Sequence, residues 1–341
     1  MPIRTAIIGA GFSARTFHEP FLRQSPAYDL IAASGRSADA LKTHWPALES
    51  YATATELLDQ SDAELVIITT PNETHTALAS LALAQDRHVL IDKPMCCSLR
   101  EADELLNAES NSSGTLSVFH NRRWDGDFMT VRSLIEADQL GSIRRFESHF
   151  DRARPQPRDR WRERPGHGTG IWFDLGPHLV DQALVLFGPP ASITARIRTI
   201  RPGAIVDDCF DVLLDYGDFN VRLVSSAHAW GPPPRFDVQG DRGRYLKHWL
   251  DPQEDALRSG TAFSDANWNC EPNTRYGNLF DESSTTPVAT MRGNYAGFFD
   301  ELAQSIRHQH PVPVSASQTR EVIRVLELAS DSQTQGRTLK W

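Results

Sequence analysis

The stretch that most limits what this chain can become is IIGAGFSA, residues 7–14. A short apolar run reaches a turn whose small residues, Gly9, Gly11 and Ala14, fall in G-x-G-x-x-A spacing, and a helical pattern follows to about residue 22. Small residues at these places let a strand turn tightly into a helix and let the backbone approach a pyrophosphate at the positive helix end. The pattern is weak alone. Its context, strand before and helix after, makes it a predicted dinucleotide turn of Gly9, Gly11, Phe12, Ser13 and Ala14.

Apolar runs recur at LIAAS (30–34), LVIIT (65–69), HVLI (88–91) and LSVF (116–119), with helical patterns between them. Unalternating runs are what strands buried on both faces look like, and strand–helix repetition predicts a doubly wound parallel sheet. After residue 120 the rhythm changes. A helix is expected at 128–138, alternation at IRRFESHF, a second helix around 170–182, and strands at ITARIRTI, FDVLLDY, VRLVSSAHA and FDVQG. This predicts an α/β fold of two domains: a Rossmann domain over 1–120, and an α+β domain over 121–341 with an open, mostly antiparallel sheet. Residues 260–294 read as a long polar surface loop, and helices are expected at 295–308 and 317–333. A length of 341 residues fits two cores better than one.

A formal charge of -9 argues against a nucleic-acid partner. No stretch approaches the roughly 20 apolar residues of a membrane span. The start lacks a signal-peptide pattern and the four cysteines show no CxxC spacing, so the expected compartment is the cytoplasm. One basic cluster stands out, RARPQPRDRWRER at 152–164, readable as a solvated loop or as a pocket for an anionic cofactor.

The end of the second strand bears on which dinucleotide. An NAD site usually has an acid there, whereas this chain has SGRS. Arg36 with Ser34 and Ser37 suits a 2′-phosphate, so NADP is favoured over NAD; the competing reading is that Ser37 caps the next helix. IDKP follows the fourth strand, where ligands meet open α/β sheets, which singles out Lys93 beside Asp92 and Pro94, a proline that can fix the local chain through a cis Lys93–Pro94 bond. GTGIWFDLGPHLVDQ (168–182) puts Asp174 and His178 one helical turn apart. By residues alone they form a metal site, a proton-moving pair or a satisfied core pair.

GAGFSA, IDKP, TTPNETH (69–75) and GTGIWFDLGPHLVD together resemble the Gfo/Idh/MocA family of NAD(P)-dependent sugar and polyol oxidoreductases. FHNRRWDGDF and HFDRARPQPRDRW resemble its scyllo-inositol-dehydrogenase-like branch. Asp92 departs from the family's usual glutamate. The resemblance implies that Lys93, Asp174 and His178 are the catalytic set: His178 as acid/base, Lys93 as electrostatic stabiliser, Asp174 as orienting partner. Histidine titrates near neutral pH and an ammonium favours developing alkoxide, so the chemistry agrees. It further implies that Thr70, Pro71, Asn72, His75, Asn121, Trp161 and Arg162 lie along the cofactor and that Arg122 and Trp124 reach substrate. Asp181 is expected in a structural salt bridge. A metal held by Asp174, His178 and His167 is set aside, since no further His/Cys cluster has ligand spacing. The implied activity is hydride transfer between nicotinamide and a secondary alcohol or carbonyl of a sugar, inositol or related polyol, in a homodimer or homotetramer. An NAD-dependent glycosidase and a non-catalytic NAD(P)-binding regulator share the fold and stay open.

Overall fold

The computed structural model describes all residues except Arg36, Pro232, Pro233 and Asn267, and the side chain of Ala38. The Arg36 expectation therefore lies outside the described residues.

The chain forms two units, Met1–His120 with Ala296–Ile323, and Asn121–Tyr295 with Arg324–Trp341. The first carries strands β1 (Ile3–Ile8), β2 (Tyr28–Ser34), β3 (Glu49–Tyr51), β4 (Leu65–Ile68), β5 (His88–Asp92) and β6 (Leu116–Phe119). All pair in parallel in the order β3-β2-β1-β4-β5-β6. Helices α1 (Glu19–Gln24), α2 (Ala38–His44), α3 (Ala54–Gln60), α4 (His75–Leu83) and α5 (Leu99–Ser110) connect them. This is the Rossmann order, with the chain reversing direction between β1 and β4. β3 was not expected; at three residues it is too short for periodicity to reveal, and pairing with β2 alone defines it. Every residue of β4 and β6 is buried, as a sheet covered on both faces requires.

The second unit carries α6 (Gly126–Glu136), β7 (Ile143–His149), α7 (Gly170–Phe187), β8 (Ser192–Arg198), β9 (Cys209–Asp215), β10 (Asn220–Ser226), β11 (Phe236–Gly240), β12 (Arg244–Lys247), α8 (Gln253–Ser259), β13 (Gly277–Phe280), β14 (Thr285–Val288) and β15 (Leu339–Lys340). The sheet order is β14-β13-β12-β11-β7-β10-β9-β8-β15, antiparallel except between β7 and β10. Ile193, Phe210, Val212, Leu214, Val221 and Leu223 alternate into a buried face, against which Trp172 of α7 meets Phe210 at 4.8 Å. Residues 260–294, expected as a loop, contain the β13–β14 hairpin that extends the sheet.

The last helices are α9 (Tyr295–His308) and α10 (Ala316–Gln335). Ala296–Ile323 belongs to the first unit because it closes that unit's core. Phe299 stacks on Phe21 at 5.2 Å, Phe298 meets Phe119 edge-on at 5.0 Å, and Val314 O accepts from the Ser117 hydroxyl at 3.0 Å. Among the described residues no helix is long and apolar enough to cross a membrane.

Candidate active site

In the first unit the predicted turn lies at the switch point. Gly9 has φ 99°, and a Cβ there would stand 2.9 Å from the Thr70 methyl, so only glycine fits between the two loops. A Cβ on Gly11 would meet no atom within 4 Å, which leaves its backbone open to a ligand. Ala14 is fully buried against the sheet, and Phe12 is exposed. The chain enters the helix through a π turn, Ala14–His18. The turn, its open backbone and the helix start fit a dinucleotide pyrophosphate.

Hydrogen bonds fix the neighbouring loops. The Ser13 hydroxyl donates to Asp92, whose second oxygen accepts from Lys93 N at 3.0 Å. The Lys93–Pro94 bond is cis. Lys93 is half-buried and Pro94 buried. His75 is buried, with Nδ1 2.9 Å from Pro94 O and Nε2 2.9 Å from Thr70 O. Burial lowers its pKa against the opposing pull of those carbonyls. His75, expected beside the cofactor, ties the Thr70 loop to the lysine loop. Pro71 is exposed, Asn72 is buried, and the Thr70 and Thr74 hydroxyls are 2.6 Å apart. Ser34 is buried, and Ser37 Oγ accepts from Ala40 N at 3.2 Å, so Ser37 caps α2 as the competing reading held. Cys96 and Cys97 are buried packing residues, and burial pushes the Cys97 thiol up to about 12.

In the second unit α7 is built to hold one face steady. Gly170 has φ 85°, and a Cβ on it would lie 1.9 Å from Asp207 Oδ1. Thr169 makes no side-chain cap. Asp207 supplies it instead: Oδ2 accepts from Trp172 N at 2.7 Å and its carbonyl from Ile171 N at 2.9 Å. Burial lifts Asp207 to about 6, opposed by the Trp172 amide. Gly176 lets the Trp172 ring lie flat against the helix, where a Cβ would come within 2.6 Å. Further along, Asp181 pairs with Arg123 through contacts of 2.9 and 2.7 Å, the salt bridge expected of it. Gln182 donates to Arg122 O at 2.8 Å and accepts from Arg235 at 2.8 Å.

With α7 so anchored, Asp174 lies 3.3 Å from Arg162 Nε, and His178 is buried and stacked 6.5 Å from Phe150.

Both halves of the chain match one set of known proteins. Residues 3–120 fit the Gfo/Idh/MocA description "Oxidoreductase family, NAD-binding Rossmann fold", and residues 132–341 fit "Oxidoreductase family, C-terminal alpha/beta domain". The chain belongs to the Gfo/Idh/MocA oxidoreductase family. It is 39% identical to the uncharacterized oxidoreductase YdgJ of Escherichia coli, covering 99% of this chain and 98% of that one. It is 33% identical to scyllo-inositol 2-dehydrogenase (NADP(+)) IolW of Bacillus subtilis, covering 99% and 95%. The solved structure of YvaA from Bacillus subtilis superposes with a TM-score of 0.95 at 32% identity, covering 100% of this chain and 99% of that one.

In this oxidoreductase the remaining expected residues divide. Arg162 stacks over Trp161 at 4.5 Å, as an aromatic–guanidinium pair beside Asp174. Asn121 is buried, and Trp124 is half-buried with its carbonyl accepting from Asn294 N at 2.9 Å. Arg122, expected to reach substrate, is buried with Asp125 at 3.1 Å and with Glu254, inside an ion-pair cluster that Tyr295 joins through a 2.6 Å bond to Asp125. Asp207 and Gln182 were missed: neither has a local signal, because each acts on an element distant in sequence.

Proposed function

We propose that this oxidoreductase transfers a hydride between NADP and a secondary alcohol or carbonyl of a sugar, inositol or related polyol. What supports the reading most is the i,i+4 pair Asp174 and His178 on a helix pinned by Asp207, Trp172 and Gln182, in a chain with an open glycine turn. The pyrophosphate would lie against Gly9, Gly11 and Ser13, with Thr70 and Asn72 in the adjoining loop. A bound nicotinamide supplies the hydride acceptor or donor. His178 takes the hydroxyl proton at an imidazole nitrogen as the carbon is oxidised, and returns it in reduction. The Lys93 ammonium stabilises the negative charge that builds on the reacting oxygen, and Asp174 orients its partners.

NADP is preferred on the absence of an acid at the end of β2 and on the Ser37 hydroxyl, whose hydrogen remains to donate while its oxygen caps α2. The NADP-dependent activity in the name of IolW points the same way. The reading includes self-association through the open face of the nine-stranded sheet, where Leu213 is 37% exposed; sedimentation showing only monomer at micromolar concentration refutes that part.

The experiment is cofactor reduction with NADP or NAD over a panel of inositols and aldoses, beside Lys93→Ala and His178→Asn. Turnover lost in both variants supports the reading. Tight cofactor binding without turnover on any substrate overturns it in favour of a binder. Sugar release from a glycoside without net cofactor reduction overturns it in favour of a glycosidase.

A further inference from the structure

The basic stretch 152–164 is partly solvated, with Arg158 and Arg164 exposed, and partly turned inward. With α7 and the segment around Arg201 it walls an open cleft in the second unit, lined by Arg152, Arg154, Arg160, Arg162 and Arg201. Four carboxylates share the lining: Glu163, Asp174, Asp207 and Asp208. They are spoken for. Glu163 pairs with Arg160 at 2.8 Å and Arg201 at 3.1 Å, Asp208 with Arg201 at 2.8 Å, and Asp174 with Arg162 at 3.3 Å. Asp207 caps α7 and is lifted by burial to about 6.

Two guanidiniums are left over. Among the described residues, no side-chain hydrogen bond or ion pair joins Arg152 or Arg154 to a partner. Both are half-buried. Burial, with Arg154 beside it, pushes Arg152 down to about 10; burial and the neighbouring Arg158, Arg160 and Arg258 lower Arg154. Asp174 draws on both cations and Glu254 on Arg152, but neither carboxylate forms a direct ion pair with them; two cations held close in a half-buried wall are costly unless an anion completes them. Phe150 packs behind the cleft. Its ring has the Arg152 guanidinium 4.7 Å from its centroid and the His178 ring 6.5 Å away in a stacked arrangement. Asp174 forms part of the cleft wall itself.

We infer that this arginine cleft binds an anionic oxygen group of the substrate, a phosphate ester or a carboxylate, with Arg152 and Arg154, which have no direct ion-pair partner, as its cations. The inference narrows the polyol reading to acidic or phosphorylated polyols, and it rests on that reading for the word substrate. Guanidinium forks suit both groups, since each offers paired oxygens to paired N–H donors.

The test is calorimetric titration of the full chain, saturated with NADP, with inorganic phosphate and separately with gluconate. Wild type is compared with Arg152→Gln, Arg154→Gln and the control Arg132→Gln, an exposed arginine paired with Glu136. Saturable binding is expected, weakened about tenfold or more in each cleft variant and unchanged in the control. Whichever of the two ligands binds tells phosphate from carboxylate. An inositol phosphate or a sugar acid should have a lower KM than its neutral parent, and Arg154→Gln should erase that difference. If Arg152→Gln does not fold, Arg154→Gln carries the comparison alone. Anion binding that disappears when NADP is present means the anion occupied the cofactor's own phosphate site, and overturns the inference. So does equal weakening in the control, or no binding of either anion. Anion binding without turnover of any substrate sinks the hydride-transfer reading and leaves the site standing. Turnover of neutral polyols without anion binding does the reverse.

Discussion

Gly176→Ala puts the packing of the candidate catalytic helix to a quantitative test. A Cβ there would lie 2.6 Å from Trp172 Cε3 and 2.8 Å from Cζ3, whereas carbon atoms rest at about 3.5–4.0 Å. The ring must therefore move by about 1 Å. It has little freedom to do so: Trp172 is 1% exposed, donates from Nε1 to Leu326 O at 3.1 Å, and meets Phe210 edge-on at 4.8 Å. Overpacking of this kind costs about 1–3 kcal/mol, and a lost indole hydrogen bond adds about 1 kcal/mol. Against that, alanine gains about 1 kcal/mol over glycine in a helix interior. The net expectation is destabilisation by about 1–3 kcal/mol, measured by urea denaturation. Asp174 and His178 flank the site at two residues on either side, so turnover should fall with it. In a Trp172→Leu background the clash is gone, and the same Gly176→Ala change should become stabilising by up to about 1 kcal/mol. An equal loss in both backgrounds, or a stabilised single variant, refutes the reasoning.

Two further outcomes follow from the structure. Asp207 is raised from its usual range to about 6, so the native state binds its proton more tightly than the unfolded chain, and the stability this gives is lost as pH rises from about 4 through about 6. The shift is worth up to about 3 kcal/mol. Asp207→Asn keeps an oxygen for Trp172 N, so melting curves should show the variant gaining on wild type across that window; a constant offset at every pH would count against the argument. Phe299→Ala removes a ring 1% exposed that closes the first unit, and should cost about 3–5 kcal/mol in denaturation. A loss below about 1 kcal/mol would mean that α9 is not part of that core.

Much of the site was legible because it is local. Gly9 announced a turn through the backbone freedom only glycine has, Gly11 through its missing side chain, and the α-helical period alone put Asp174 and His178 on one face. Buried strands of four to seven residues were legible as unbroken apolar runs. Three-residue β3 was not, nor was the β13–β14 hairpin, whose TTPV strand is largely exposed and is defined by its pairing. Asp207 reaches its helix across 35 residues, and Phe299 meets Tyr28 across 271. Nothing near either residue in the chain signals such a partner. The arginine stretch shows the division most plainly. Its charge was evident from the sequence, but which guanidiniums form direct ion pairs is decided by Glu163, Asp174 and Asp208, and only the folded chain shows Arg160, Arg162 and Arg201 taking them. Local conformation follows from what each residue's backbone and side chain permit, whereas charge pairing depends on which distant segments the topology brings within a few ångströms.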